Sequence, residues 1–344
     1  MAHPLKSQLP WTSSPLIVNA PMGGFAGGNL ASAVTKSGGL GMIGAIMSSD
    51  LEKELSIAAD NLKATTAPGD MLSVGVGLLP FIVKAESVLP ILAKYQPTLV
   101  WLFAAKDLKD YATWSTEIRG RCPNSRIWIQ VGSVSAAVEI AQTAKPDALI
   151  MQGADAGGHG FERGASIVSV LPEAADVLAE KGLGHIPLLA SGGIADARGA
   201  AAAFALGASG VVIGTRFLAA KETISPPGYR ELVLAAKDGA QSTVRSKLFD
   251  NVKGPNIWPD AYDGRSLVTE SYADHVQGID IELIRKKHNE AVEGEDGGFG
   301  TTNRANVWAG AGVGLVNKVQ NAADIVQEVR NGVGQILKGT AARL

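Results

Sequence analysis

His159 is the residue of this chain whose type and surroundings most directly suggest chemistry. It lies in the segment Gly-Ala-Asp-Ala-Gly-Gly-His-Gly at residues 153–160, where the neighbouring glycines offer little side-chain packing. An imidazole can take a carbon-bound proton near neutral pH or hold a developing anion. We therefore predict that His159 is catalytic, although an exposed loop histidine would show the same local pattern. Just before it, Gln152 is a candidate hydrogen-bond donor to a polar ring.

Two further turns have the composition of a phosphate site. One contains Ser191, Gly192 and Gly193, and the other contains Gly214 and Thr215; both lead into segments of helical character. Backbone N–H groups at such turns and at helix N-termini bind anions. Two turns that merely begin helices, without a ligand, would have the same composition. Their position after the last two apolar runs nevertheless favours phosphate binding.

A third turn, Ala20-Pro21-Met22-Gly23, follows the first apolar run. Proline fixes the backbone there, and glycine allows a flat ligand to approach closely. Alone it would be read as an ordinary tight turn.

Eight short apolar runs position these turns, and each reads as a strand buried on both faces. They are residues 16–20, 40–45, 72–79, 98–103, 126–132, 147–153, 187–193 and 210–215. Segments with helical periodicity lie between them, at 29–36, 50–62, 85–95, 108–118, 133–143, 168–181 and 195–206. This alternation predicts an α/β fold, a closed (β/α)8 TIM barrel, with an open doubly wound sheet as the alternative. Active-site residues of such barrels follow the strands, which is where the three turns and His159 occur.

Asp50, Ser133 and Asp196 suit the starts of three of these helices. The motif G-x-G-x-x-G also occurs, at residues 39–44, but its glycines fall in the second predicted strand. A dinucleotide site needs them between a strand and a helix, so we reject this match.

The sequence predicts two domains. Residues 1–224, completed by 304–344, are expected to form the barrel, and 225–303 a smaller, mainly helical cap domain over one barrel mouth. The more polar cap segment has helix-like runs at 229–238 and 280–291, and a further amphipathic helix is predicted at 317–337.

Composition restricts the partners. The chain has 46% hydrophobic residues and a net charge of −2, and its basic residues are scattered, so we expect no nucleic-acid partner. No signal peptide, membrane-spanning run or metal-ligand spacing is expected. The single cysteine, Cys122, fits an intracellular, cytoplasmic protein. If the source is eukaryotic, the final residues Ala342-Arg343-Leu344 resemble a peroxisomal address.

Taken together, the turns resemble the nitronate monooxygenase (2-nitropropane dioxygenase) family, in a fungal-type branch. The matching segments are 20–24, 152–160, 191–194, 214–217 and Trp308-Ala309-Gly310-Ala311-Gly312, in the family's order over nearly the whole chain. Two positions depart from the family pattern. Gly77 stands in the third-strand turn where bacterial members have Asn, and Ala311 stands where Gln is usual.

The resemblance implies bound FMN and oxidation of alkyl nitronates, with nitroalkanes as further candidate substrates, by O2 to a carbonyl compound and nitrite. It implies a monomer or homodimer and makes His159 the catalytic histidine. The implied cofactor-binding residues are Ala20, Pro21, Met22, Gly23, Gln130, Gln152, Gly157, Ser191, Gly192, Gly193, Gly214 and Thr215.

Three rival functions use similar turns. The main alternative is an NAD(P)H-dependent FMN reductase of quinones or enoyl thioesters on the same barrel. A dehydrogenase of the inosine-monophosphate class needs a cysteine nucleophile, and Cys122 precedes the fifth strand, on the wrong face. A flavin-binding protein without turnover is the third; His159 argues mildly against it.

Overall fold

A closed barrel of parallel strands forms the centre of the computed structural model, which describes residues 5–63, 66–67 and 69–343. In chain order the strands are β1 Ile17–Asn19, β2 Met42–Gly44, β3 Thr66–Ala67, β4 Met71–Leu78, β5 Pro97–Leu102, β6 Arg126–Val131, β7 Ala148–Gln152, β8 Gly158–Phe161, β9 Leu188–Ser191, β10 Gly210–Ile213, β11 Thr243–Ser246 and β12 Tyr262–Leu267.

Helices surround the barrel and continue into the segment beyond β10. They are α1 Gly28–Lys36, α2 Ser48–Asn61, α3 Ala85–Tyr95, α4 Asp110–Arg121, α5 Val134–Thr143, α6 Ile167–Glu180, α7 Ala197–Ala205, α8 Thr215–Leu218, α9 Pro227–Ala235, α10 Gly239–Ser242, α11 Leu248–Asn251, α12 Glu270–Val276, α13 Ile281–Glu293 and α14 Ala322–Ala341. A 3₁₀ turn lies at Val313–Leu315.

Eight of the described strands pair in parallel in the order β1-β10-β9-β7-β6-β5-β4-β2. A parallel bridge between Val18 and Leu40 joins the two ends of this order, so the sheet closes on itself. Each of the eight predicted apolar runs overlaps one of these strands, and β4 and β5 each begin one residue before the predicted run. The (β/α)8 barrel is therefore confirmed, and the open-sheet alternative is wrong.

Side chains fill the barrel instead of leaving a pore. Because side chains alternate along a strand, Trp128 of β6 points inward while its neighbours Ile127 and Ile129 pack against the helices. The inner layer also contains residues from the other strands, including Val18, Met42, Trp101, Ile150, Leu189 and Val212. This packed layer is the floor beneath the loops at the carboxyl ends of the strands.

The helices predicted between the strands are present as α1–α7. Ser133 caps α5 by accepting a hydrogen bond from the Ala136 N–H, and Asp196 caps α7. The prediction that Asp50 caps α2 is wrong, because that helix begins two residues earlier and Asp50 lies in its first turn. The last helix begins at Ala322 instead of 317, since Gln320 pairs with Ala220 in an isolated bridge.

A small antiparallel sheet lies outside the barrel, in the order β11-β12-β8. It joins the segment after β7 to two strands of residues 225–303, which also contain α9–α13. Helices were predicted in that segment, whereas β11 and β12 were not. The alternative reading of His159 as an exposed loop residue is wrong, because His159 lies in β8 opposite Gly264 of β12.

None of the described helices combines the length and the hydropathy that a membrane span requires. Among the described residues, no group of three or more His, Cys, Asp and Glu side chains could hold a metal ion. Of the C-terminal tripeptide, Leu344 lies outside the described residues.

The packed barrel interior predicts the effect of one matched pair of substitutions. Val18 in β1 has no exposed surface, so Val18→Ala removes two methyl groups from the inner layer and should lower the free energy of unfolding by about 1.5–3 kcal/mol. Val168 in α6 is 64% exposed, and Val168→Ala should change it by less than about 0.5 kcal/mol. Urea unfolding followed by circular dichroism measures both; equal effects would contradict the barrel packing.

Candidate functional site

A cavity of about 510 Å³ opens at the carboxyl ends of the barrel strands. The structure brings His159 and all twelve predicted cofactor-binding residues into its lining. The loops that carry them are far apart in the sequence, and barrel closure places them around one mouth. Residues from the segment beyond β10, including Asp250, Lys253 and Trp258, complete the wall.

Strand alternation places two amides on the floor of this cavity. Gln130 comes two residues after Trp128 in β6, and Gln152 two residues after Ile150 in β7, so both continue the inward-facing rows. The side-chain N–H of Gln152 donates to the His159 carbonyl at 3.1 Å. The other amide atom, Oε1, is buried and has no partner within the described residues. A buried acceptor without a partner is costly, so Oε1 is suited to meet a donor on a bound ligand.

The glycine turns after β9 and β10 differ in the space beside their backbones. Gly192 and Gly193 have φ values of +103° and +74°, which favour glycine. A Cβ on Gly192 would lie 2.8 Å from the Gly153 carbonyl oxygen. At Gly214 the nearest atoms to a Cβ would be the Ala20 Cβ at 3.7 Å and the Met22 Sδ at 4.0 Å. This open cradle lies between the first-strand turn and the start of α8.

The segment Trp308-Ala309-Gly310-Ala311-Gly312 supports these turns from behind. The Gly310 N–H donates to the Thr215 hydroxyl at 3.0 Å. A Cβ on Gly157 would lie 2.2 Å from the Gly310 nitrogen, and one on Gly312 would lie 2.9 Å from the Gly193 carbonyl oxygen. The glycines are therefore needed where three backbone segments touch.

His159 is held on three sides, which corrects the expectation that it lacks side-chain packing. Its Nε2 lies 2.8 Å from Oδ1 of Asp250, whose side chain is 8% exposed. Its ring stacks on Trp258 with centroids 3.6 Å apart and planes 7° apart, and the Trp308 ring lies 4.7 Å away at a tilt. Opposite His159 in β12, Gly264 has no side chain, and the Trp308 ring occupies that space.

Lys253 brings a cation to the same wall. Its Nζ lies 5.3 Å from the centroid of the Trp308 ring. The surrounding protein atoms lower the pKa of Lys253, and the nearby Asp250 opposes this by favouring the charged form. Part of the Lys253 side chain remains exposed to solvent at the cavity mouth.

Two arginines of the small sheet fix the loop that leads to His159. Arg245 pairs with Asp263 through an Nε–Oδ1 contact of 2.8 Å and donates to the Ala156 carbonyl at 3.2 Å. Arg265 donates to the Ala154 carbonyl at 3.2 Å. The loop after β7 is thus braced by two strands whose arginines come 89 and 111 residues later in the chain.

Sequence reasoning missed Asp250, Lys253 and Trp258 as members of the site. They come from a segment that carries no local motif, and only its contact with β8 brings them to His159. The one signal in the sequence is an acidic residue directly after the apolar pair Leu248-Phe249, and it is weak on its own because many surface helices have the same pattern.

The family model described as Nitronate monooxygenase matches residues 124–332, which include β7, His159, both glycine turns and the Trp308 segment. The chain belongs to the nitronate monooxygenase family. Family membership makes it an oxidoreductase of a flavin-dependent class.

Two fungal relatives resemble the chain over almost its whole length. Nitronate monooxygenase npaC of Metarhizium robertsii is 40% identical over 99% of this chain and 97% of its own. A nitronate monooxygenase of Neurospora crassa is 36% identical over 97% of this chain and 93% of its own. These matches confirm the fungal-type resemblance.

Solved structures share the fold at lower identity. FabK from Thermotoga maritima has a TM-score of 0.77 and 22% identity, with all of both chains covered. A nitroalkane oxidase from Streptomyces ansochromogenes has a TM-score of 0.75 and 19% identity, covering 98% of this chain and 99% of its own. At these identities the likeness concerns the fold alone.

One departure from the bacterial pattern of nitronate monooxygenases has a steric reason here. Gly77 lies near the end of β4, the third strand of the barrel in chain order. A Cβ on Gly77 would lie 2.4 Å from the Pro21 Cβ, so this position cannot carry an Asn while Pro21 keeps its place. The first-strand turn and β4 are therefore packed directly against each other.

Gly264→Ala tests the packing around His159. Its Cβ would lie 2.3 Å from the Trp308 ring, so the indole must move and the free energy of unfolding should fall by about 1–3 kcal/mol. Tryptophan fluorescence should also shift. Gly120→Ala in α4 is the control, because a Cβ there meets no atom within 4 Å, and it should be neutral or stabilising by up to about 1 kcal/mol. Similar losses in both variants would contradict the contact.

Proposed function

We propose that this chain oxidises alkyl nitronates, and deprotonates neutral nitroalkanes, with bound FMN and O2, giving a carbonyl compound and nitrite. The arrangement of groups around the cavity is the main support for this proposal. An imidazole held by a carboxylate faces a cavity that also contains two glycine turns, two floor amides and the first-strand turn.

The lining fits the chemistry of FMN. The open space beside Gly214 would receive the phosphate, which the backbone N–H groups of the Gly192-Gly193 turn and the Thr215 hydroxyl would hold. The first-strand turn would lie against the flat ring system, and the unpartnered Gln152 Oε1 would accept from its ring N–H. FMN supplies the electron transfer from the nitronate and the reaction with O2, while the protein orients and polarises.

His159 would act on the substrate in one of two ways. With a neutral nitroalkane, its imidazole takes the carbon-bound proton, and the electron pair of the broken C–H bond stays on the substrate as the nitronate. With a nitronate, the imidazolium holds the negative charge of the nitro group.

We also propose that residues 225–303 act as the cap domain, since Asp250, Lys253 and Trp258 from this segment line the cavity.

Gly214→Asp tests the phosphate site. Its φ of −100° accepts a side chain and its surroundings are open, so the fold should survive. The carboxylate would repel the phosphate, and the purified protein should lose most of its flavin absorbance. Its thermal unfolding should match that of the original protein stripped of flavin, because bound FMN itself stabilises the fold. Gly334→Asp in α14, where a Cβ also meets no atom within 4 Å, should keep the flavin. Full flavin content in Gly214→Asp would refute this site.

His159→Asn tests the role of the imidazole. Turnover of a neutral nitroalkane should fall by about 10²–10⁴-fold, because the variant has no base, whereas turnover of the matching nitronate should fall far less. Oxygen consumption with nitroethane and ethylnitronate, normalised to flavin content, measures the two. Equal losses on both substrates would refute proton transfer by His159.

The reductase alternative gives a different result in the same protein. An NAD(P)H-dependent reductase should have its flavin bleached by NADH or NADPH without air, whereas a nitronate oxidase should be reduced by ethylnitronate or propionate 3-nitronate instead. Bleaching by the nicotinamide, with no oxygen consumption on either nitronate, would replace the proposed function by the alternative.

A further inference from the structure

We propose that Asp250 is the positioning residue of this site: it holds His159 through Nε2 and so makes Nδ1 the atom that meets the substrate. The inference rests on the proposed role of His159. It adds a second residue to the reaction and assigns the reacting atom.

The hydrogen bond determines which ring nitrogen carries the proton. An ionised carboxylate only accepts, so the 2.8 Å contact between Nε2 and Oδ1 of Asp250 requires a proton on Nε2. The neutral ring then has its lone pair on Nδ1. Within the described residues Nδ1 makes no hydrogen bond, and His159 lines the cavity, so this lone pair is available to a substrate.

The carboxylate itself is fixed in place. Asp250 belongs to α11, where Leu248 and Phe249 are buried beside it. The Asn306 side chain donates to the Phe249 carbonyl, and Arg285 donates to the Asn251 carbonyl at 2.8 Å. Both ends of this short helix are therefore tied to the surrounding segment, and the carboxylate stays at the ring.

The ring plane is fixed as well. Trp258 stacks on one face of His159, and Trp308 lies at a tilt 4.7 Å away. Rotating the ring by 180° would put a carbon where Nε2 now meets Asp250, which would leave a buried carboxylate without its donor. The stack and the hydrogen bond thus favour one orientation.

Charged groups lie on both sides of the His159 ring. Asp250 and Lys253 are the charged groups on the cavity side of His159. On β12, Asp263 and Arg265 flank Gly264 and point to the other face, where Arg245 pairs with Asp263. When Nδ1 takes the substrate proton, the imidazolium lies directly against the Asp250 carboxylate, a charge-assisted hydrogen bond.

Nitrogen-15 NMR of the unaltered, FMN-loaded protein with labelled histidine tests the assignment of the reacting atom. The His159 signal, identified by its loss in His159→Asn, should show the proton on Nε2 when the ring is neutral. A proton on Nδ1 would overturn the proposal. This measurement needs no turnover, so it decides the question even if nitronates prove not to be substrates.

Asp250→Asn tests the charge while nearly keeping the shape. The acid limb of the pH profile of kcat/KM for a neutral nitroalkane should move to lower pH by about 1 unit or more, because the imidazolium loses its counter-charge. The plateau should fall by about 10-fold to 100-fold, and kcat/KM for ethylnitronate should fall less. An unmoved limb with equal losses on both substrates would mean a merely structural role and overturn the proposal.

Asp274→Asn is the matched control. Asp274 is a carboxylate of the same segment that pairs with Lys287 and Arg304 and does not line the cavity. Replacing the Asp274 carboxylate should leave the acid limb of the kcat/KM profile at the same pH. A shift of this limb as large as that in Asp250→Asn would count against the proposal. If the unaltered protein consumes no oxygen with either substrate, the proposed function fails, while the NMR result still stands for or against Asp250.

Discussion

The antiparallel pairing of β8 with β12 is the contact on which the rest of the site depends. It turns the glycine-rich segment after β7 into a strand and sets His159 opposite Gly264. Because the side chain is missing at Gly264, Trp308 can lie over that position and reach the imidazole. The same sheet carries Arg245 and Arg265, which brace the loop carbonyls at Ala154 and Ala156. One short pairing therefore orders the loop and joins the barrel to residues 225–303.

Glycines at the barrel mouth have two roles. Some allow tight turns, and others allow two backbone segments to approach each other closely. Gly157, Gly310 and Gly312 lie where the loop after β7, the turn after β9 and the Trp308 segment meet within van der Waals distance. At Gly214, in contrast, the space beside the backbone is empty. Gly157, Gly310 and Gly312 therefore allow backbones to pack, whereas Gly214 leaves room for a ligand. The sequence cannot distinguish these two roles, because both appear in it as a glycine in a turn.

The site combines a rigid floor with a wall from elsewhere in the chain. The floor comes from the barrel, where strand alternation points Gln130 and Gln152 into the mouth. The wall comes from the segment that carries Asp250 and Trp258, and it surrounds an imidazole with a carboxylate and two indoles. Such a wall limits water around His159 and makes each charge on it act more strongly than it would in water.

The amino-acid sequence predicts the barrel from local patterns, because the eight barrel strands lie in short, mostly apolar runs and the helices between them have apolar residues at helical spacing. It also singled out the turns at Pro21, Gly192 and Gly214 together with His159, because a closed barrel must bring the ends of its strands to one mouth. The contacts of His159 could not be predicted in this way, because they depend on how remote segments pack. Its hydrogen bond to Asp250 spans 91 positions, and a pairing at that distance leaves no periodicity in either segment. For the same reason β8, β11 and β12 were not predicted: short strands whose partners are remote gain their stability from pairing and packing instead of from their own composition.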